Sequence, residues 1–419
     1  MPVLSSLPII LASASPRRLA LLEGAGLRPR VEPAHIDETP LRAEQPRVFA
    51  ERMAIEKADA IARTVSRACV IAGDTVVALG DEILGKPRDV EDAAHMLRRL
   101  SGQAHQVFSG WAVCDGAGRR VSGVAVSDVT FTDLSEGDIA SYVASGEPMD
   151  KAGAYGIQGE GGRLVQRYTG DYSNIVGLPL ADVLGALAHL DQFSRSPLAQ
   201  KLAMIRGRVA VAAHESGRSP ESVEVIAASK GQSLDRMRAL RSAGVTSFGE
   251  SYVSELLVKR PIFDSDTRVH FIGHLQRNKV RKLIPGVVSV QTVDSVRLGE
   301  EIGKRARMAQ LELPILVQVN LGGEETKSGC AIDDLESLLN ALRSIDGLCP
   351  VGLMAIPPRA GLASTRSWFR TLKDLRDSVA TDESPIKHLS MGMSADFDAA
   401  IIEGATMIRL GTLLCGPRS

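Results

Sequence analysis

The sequence predicts an α/β protein of two domains: an α/β domain with a mixed sheet over residues 1–192, and a parallel (β/α)8 barrel of TIM type over residues 197–419. Three observations carry this. The 419 residues exceed the roughly 100–200 of one ordinary domain and suit two or three. Behind a polar stretch without periodicity, Asp191 to Pro197 (DQFSRSP), eight apolar strand-like runs alternate with amphipathic helical stretches, which is the arithmetic of a closed parallel barrel. Ahead of that linker, strand and helix signals alternate less regularly and end in runs patterned like antiparallel strands.

In the front part, PIILAS reads as a strand, PRRLALLEGAG as a helix and VFAERMAIEKADAIART as a longer helix. VIAGDTVVAL is a strand and VEDAAHMLRRLSG a helix, while VFSGWAVCD and VAVSDVTFTDL alternate with period two. Beyond the linker a helix from Leu198 to Glu215 precedes the eight strands VEVIAASK, TSFGE, VHFIGH, VVSVQTVD, ILVQVNL, PVGLMAI, KHLSMGM and TMIRLGT. A doubly wound open sheet is the alternative; the count of eight favours the barrel.

Composition excludes several functions. With 49 Lys+Arg against 50 Asp+Glu and a net charge of −1, the chain lacks the cationic surplus that binds nucleic-acid backbones or anionic membranes. Two Trp, five Tyr and nine Phe leave little for base stacking. No apolar run approaches the roughly 18 residues of a membrane span, and the opening MPVLSSLPIILASAS has no preceding cation and too short an apolar stretch for a signal peptide. A cytoplasmic protein is expected. Five scattered cysteines, none in Cys-x-x-Cys spacing, read as reduced thiols. His270 and His274 bracket a strand-like run of about 13 Å, too far apart to share a metal.

Two segments of the front part carry chemistry. In Leu11-Ala12-Ser13-Ala14-Ser15-Pro16-Arg17-Arg18 a strand runs through small hydroxyl residues into a helix, with Ser15 placed to cap it and Pro16 in its first turn. Free N–H groups beside two guanidinium groups suit a phosphate; a capped surface helix with solvated arginines is the other reading. Asp74 interrupts a run otherwise fit for a buried strand, and a buried carboxylate costs several kcal/mol unless paired or metal-bound. Lys57 beside Glu56, Lys86 in a Gly-Lys-Pro turn and Glu38 in IDETP add cations for a polyphosphate and carboxylates for Mg²⁺ or Mn²⁺.

The motifs Ser13 to Arg18, Asp37-Glu38-Thr39, Glu56-Lys57-Ala58, Gly73-Asp74-Thr75, Leu84-Gly85-Lys86-Pro87 and Gly153 to Gly159 (GAYGIQG), in this order over residues 7–190, resemble the Maf family of nucleoside triphosphate pyrophosphatases. The resemblance implies cleavage between the α- and β-phosphates, yielding the monophosphate and pyrophosphate. It makes Asp74 the proton acceptor for the attacking water, Glu38 and Asp74 metal ligands, and Ser13, Arg18, Lys57 and Lys86 phosphate contacts. Arg17, Thr75 and Gln158 look like the specificity set of the dTTP/UTP branch, since the 7-methyl-GTP branch usually carries Trp where Arg17 stands. A dimer is common in such pyrophosphatases.

In the rear part Lys230 ends the first barrel strand, where this fold places its chemistry; a lysine in apolar surroundings is a nucleophile toward an aldehyde. A lysine that merely snorkels into solvent is the other reading. The last two strands carry Ser390 to Ser394 (SMGMS) and Arg409-Leu410-Gly411-Thr412, and the loops there commonly bind phosphate. An aldehyde-seeking lysine facing a phosphate cradle suggests pyridoxal 5′-phosphate (PLP).

Ala228-Ser229-Lys230, Phe248-Gly249-Glu250, His270 to Lys279 (HFIGHLQRNK), Lys327-Ser328-Gly329, Gly352 to Ile356, SMGMS with Asp396, and Arg409 to Thr412 are similar to the PLP homeostasis protein family, alanine-racemase-like barrels without a second domain. By this resemblance Lys230 takes the cofactor aldehyde, Ser394, Gly411 and Thr412 hold its phosphate, and Arg409 faces the pyridine nitrogen. Ser251, Gly231 and Cys415 depart from the family's usual Asn, larger residue and Phe. An Arg at the ring nitrogen weakens the electron sink, and racemisation needs an acid/base on the second face, which a chain running a few residues past strand eight is expected to lack. The sequence thus predicts a PLP carrier or homeostasis role, with an active racemase, or a front half that only binds nucleotide, as alternatives.

Overall fold

The computed structural model describes residues 7–417 apart from 66, 116–117, 192, 194–195, 324–327, 359–360 and 382–385. The first residues of the N-terminal apolar stretch, three linker positions and Lys327 therefore lie outside the described residues. The chain forms two compact units, Met1–Pro220 with Gly361–Ala363, and Glu221–Ala360 with Ser364–Ser419.

The first unit is built on a mixed sheet of β1 (Ile9–Leu11), β2 (Arg30–Val31), β3 (Cys69–Leu79), β4 (Glu82–Leu84), β5 (Ala104–Cys114), β6 (Arg120–Phe131) and β7 (Val165–Thr169). Its order is β2-β1-β3-β5-β6-β7, with β4 on β3. β1 is parallel to β2 and β3, and the remaining pairs are antiparallel. Successive residues of β3 enter different cores, Cys69, Ile71 and Val77 on one face and Val70, Ala72, Val76 and Ala78 on the other, as the strand period of two requires. That alternation puts Asp74 on the second face and Thr75 on the first.

The helices are α1 (Pro16–Gly24), α2 (Pro46–Ala62), α3 (Val90–Leu100), α4 (Glu136–Ala144), α5 (Tyr172–Val176), α6 (Leu180–His189) and α7 (Pro197–Glu215). α2 covers the Asp74 face with Phe49, Ala50, Met53, Ala54, Ala58 and Ile61. It lies so close that the Ala50 carbonyl occupies the space of a Cβ on Gly110 of β5. Helix α7 follows the linker yet groups with this unit: a Cβ on Gly24 of α1 would stand 2.5 Å from Ala210 Cβ and 2.7 Å from Gly207 Cα, and Ala203 and Val211 join the front core. Phe193, inside the linker stretch, is buried in that core as well.

The second unit is a closed barrel of eight parallel strands: β8 (Glu224–Ala228), β9 (Ser247–Glu250), β10 (Arg268–Phe271), β11 (Ser289–Val293), β12 (Leu313–Gln318), β13 (Leu348–Met354), β14 (His388–Ser390) and β15 (Met407–Leu410). Each falls on one of the eight apolar runs. β15 closes onto β8 with Leu410 opposite Ala227. The apolar filling includes Ile226, Leu316, Met354 and Met407; much of the rest of the interior is polar. None of the five cysteines is in a disulfide, and burial pushes the Cys69 thiol up to about 12 and that of Cys330 to about 11. Among the described residues, no helix is long and apolar enough to cross a membrane.

Candidate functional site

A cavity of about 830 Å³ opens in the first unit, and Ser13, Arg17, Arg18, Glu38, Lys57, Asp74, Thr75, Lys86 and Gln158 all line it. These come from the end of β1, the start of α1, a loop, α2, β3, the turn after β4 and the GAYGIQG segment, so residues 145 positions apart in sequence line one cavity. Ser15 caps α1, its hydroxyl accepting from Arg18 N at 3.4 Å. Arg18 turns inward and donates to Ser13 Oγ (2.9 Å), Thr75 Oγ1 (3.2 Å) and the Gly177 carbonyl (2.7 Å). Burial lowers its pKa and the nearby Asp74 carboxylate opposes that. Arg17 stays at the cavity edge, 3.7 Å from Asp150, and Lys86 is exposed.

On the opposite face of β3, Lys57 Nζ lies 2.7 Å from Asp74 Oδ1 and 2.8 Å from Glu38 Oε1. Lys57 and Asp74 are 7% and 8% exposed, so the ion pair is shielded from water and the buried carboxylate has the partner its position demands. Among the described residues no group of three or more metal-ligating side chains exists. Two carboxylates converging beside a phosphate site nevertheless fit Mg²⁺ or Mn²⁺, which takes few protein ligands and completes its shell with substrate oxygens and water.

Toward the other end, Gln158 is 4% exposed, and neither its Oε1 nor its Nε2 has a hydrogen-bond partner. An unpaired buried amide is unfavourable unless a ligand completes it. Around it the wall includes Glu147, Lys151, Tyr155 and Glu215. Tyr155 Oη bonds His105 Nε2 at 2.8 Å, and Tyr142 Oη donates to Glu147 at 2.8 Å. Sequence reasoning passed over these residues. Tyr155 sits inside a motif that was read, whereas nothing local marks Glu147, or Glu215 at the end of α7, as facing a cavity.

In the barrel, Lys230 follows β8 at the C-terminal end, half-buried, with its ammonium 4.7 Å from the centre of the Tyr252 ring. The residues on either side are pinned by Lys259, also missed in sequence. Lys259 Nζ donates to the Ser229 carbonyl (2.7 Å), to both oxygens of Glu250 (3.1 Å) and to Glu255 (2.9 Å), and Glu255 accepts from Gly231 N at 2.9 Å. Burial raises the Glu250 pKa. Gly231 has φ +68°, a left-handed conformation that the larger residue usual in the resembled family would adopt only with strain.

Strand β15 adjoins β8, so Gly411 and Thr412 emerge beside Lys230 at the same end of the barrel. The Ser394 hydroxyl accepts from Leu413 N at 3.2 Å and ties the loop after β14 to the short helix Thr412–Cys415 after β15. No atom lies within 4 Å of where a Cβ would stand on Gly411, so this backbone opens onto free space of the kind a phosphate would fill. Arg409 is 4% exposed, with its guanidinium on Ser390 Oγ and the Ala355 carbonyl; burial brings its pKa down to about 10, against the opposing field of Asp396. An aldehyde-reactive amine, an open loop cradle and a buried cation fit PLP.

Residues 8–190 match the family described as Maf-like protein, and residues 205–419 match the alanine racemase N-terminal domain. The chain is 50% identical over 180 residues to the dTTP/UTP pyrophosphatase of Myxococcus xanthus, covering 43% of this chain and 90% of that protein. It is 45% identical over 190 residues to the dTTP/UTP pyrophosphatase of Desulfotalea psychrophila, covering 45% and 96%. Two structures of PipY from Synechococcus elongatus, one without PLP and one with PLP bound, are 32% and 31% identical, cover 52% of this chain and all of those chains, and have a TM-score of 0.47.

Proposed function

The chain belongs to the Maf-like family over residues 8–190 and to the alanine racemase N-terminal-domain family over residues 205–419, and from this premise we propose a fused protein of two functions. The front domain, residues 1–192, hydrolyses dTTP or UTP to the monophosphate and pyrophosphate with the help of a divalent cation. The barrel domain, read from the sequence as residues 197–419 although α7 groups with the first unit, binds PLP in a homeostatic role, in the cytoplasm. The observation that carries the first reading is the single cavity that gathers every expected nucleotide contact and ends in the unpaired Gln158 amide.

Phosphoanhydride hydrolysis asks for positioning and charge stabilisation more than for covalent chemistry. Ser13, Arg18, Lys57 and Lys86 contact the polyphosphate. Asp74, paired with Lys57, accepts a proton from the attacking water. A divalent cation on Glu38 and Asp74 would neutralise phosphate charge. Gln158 pairs with the pyrimidine edge, with Arg17 and Thr75 shaping the selection. A screen with pure nucleotides should give pyrophosphate from dTTP or UTP; turnover of 7-methyl-GTP with none of UTP would sink this reading.

In the barrel, Lys230 would hold PLP through its aldehyde, Ser394, Gly411 and Thr412 its phosphate, and Arg409 its ring nitrogen. Bound PLP supplies an electron sink, which an arginine at the ring nitrogen weakens; this supports a carrier role with little turnover. A yellow absorbance band in the purified protein, absent from Lys230→Ala, tests the assignment. Rapid racemisation of alanine enantiomers by the loaded protein would instead favour a racemase.

A further inference from the structure

The most specific motif of the rear half begins at His270, which has no ligand-holding role in the reading above, yet His270 is 1% exposed. Its ring belongs to an unbroken path of hydrogen bonds through the barrel. Arg409 Nη1 donates to Ser390 Oγ at 2.5 Å, and Ser390 Oγ donates to Gln291 Oε1 at 2.6 Å. Gln291 Nε2 lies 3.3 Å from His270 Nδ1, and His270 Nε2 lies 3.1 Å from Glu224 Oε1. With Nε2–H given to the carboxylate, the single lone pair of Nδ1 is left to accept, shared between Gln291 Nε2 and Ser289 Oγ at 2.8 Å. Every donor in the path then points the same way, from the cation at the C-terminal mouth to a carboxylate near the N-terminal mouth. Glu224 is further held by Ser247 (2.7 Å) and Arg268 (2.9 Å).

Such a path is an expensive way to fill a barrel, whose interior is ordinarily packed with branched apolar residues. Gln291 and Ser390 are both 0% exposed; Ser390 gives the buried Arg409 guanidinium an acceptor, and Gln291 takes up the Ser390 proton. What the path accomplishes is orientation. A serine hydroxyl has one proton; while Gln291 accepts it, the lone pairs of Ser390 remain turned to Arg409. We propose that Gln291, acting through Ser390, is a positioning residue that sets the guanidinium of Arg409 against the ring nitrogen of a pyridoxal ligand. This rests on the PLP reading of the barrel and adds to it a residue buried in the interior, two hydrogen bonds from Arg409.

The test uses the full chain, stripped of ligand and titrated with PLP and with the deaza analogue in which carbon replaces the ring nitrogen. Loss of one hydrogen bond to a charged group, about 1.5–3 kcal/mol, corresponds to a loss of affinity of roughly 10- to 150-fold. Gln291→Met should lose PLP affinity at the lower end of that range, keep its yellow band because Lys230 is intact, and bind the deaza analogue as the wild type does. Ser390→Ala should behave alike, Ser390→Thr should restore binding, and the Met/Ala double variant should be no weaker than either single one, since the two residues act in series. The Ser390 pair decides the matter should Gln291→Met not fold. Unchanged PLP affinity, or equal losses for PLP and the deaza analogue, would overturn the proposal while leaving the PLP reading standing. A wild type that gives no yellow band with PLP would end both.

Discussion

Replacing Gln158 with Met should raise the stability of the nucleotide-free protein and lower its affinity for nucleotide, two opposite effects from one side chain. Gln158 is 4% exposed, with both amide atoms unpaired. Each unmade bond of a buried polar group costs about 1–3 kcal/mol, and Met keeps the unbranched shape while removing both groups. Allowing for imperfect packing, a gain of about 1–3 kcal/mol is expected, which in a unit of this size corresponds to about 2–12 °C in Tm. The nucleotide loses two neutral hydrogen bonds at about 0.5–1.5 kcal/mol each, so KM for UTP should rise roughly 5- to 150-fold. Thermal unfolding of the full chain, following the transition that moves on adding UTP, and initial rates of pyrophosphate release measure the two effects. A variant that melts at or below the wild-type temperature without nucleotide, and keeps its KM, refutes the claim that this amide waits for a ligand.

Asp74→Asn should abolish pyrophosphate release while nucleotide still shifts the melting transition; residual turnover near the wild-type rate would remove Asp74 from the reaction. Lys57→Met leaves the Asp74 carboxylate buried without its cation and should lower the denaturation free energy of the first unit by about 3–5 kcal/mol, with much of that recovered in the Lys57→Met/Asp74→Asn double variant, as denaturant titration of the three proteins would reveal. Burial holds the His105 imidazole down to about 4 from its ordinary 6.5. Its neutral form is favoured in the fold, so its contribution is present above 6.5 and declines as pH falls through 4; His105→Gln should flatten that part of the stability profile of the first unit in a pH series of melts.

Period and spacing were enough to place all eight barrel strands, because a parallel strand buried on both faces reads as a short apolar run wherever it occurs. The same holds for β3, whose two-sided burial made Asp74 conspicuous. Short exposed elements were less legible: β2 has two exposed residues and β4 three of which one is buried, so neither shows the apolar run that marks the equally short β1 and β14. The grouping of α7 was invisible for another reason. Its apolar residues foretell a buried helix but not its partner, and only the small side chains at Gly24, Gly207 and Ala210 let it nest on α1.

By itself, then, the sequence determined the α/β class, the mixed sheet and the barrel, and it named the candidate site residues, since these depend on local pattern and on motifs kept together along the chain. Tertiary structure alone decided which charges neutralise one another. Lys57 was read as a phosphate contact, and the fold seats it between Asp74 and Glu38. Lys259 braces the backbone around Lys230, and Gln291 reaches Arg409 through Ser390, over 118 positions of sequence. Hydrogen bonds act over about 3 Å of space whatever the distance along the chain, so a buried polar network leaves no periodic trace in the sequence that builds it.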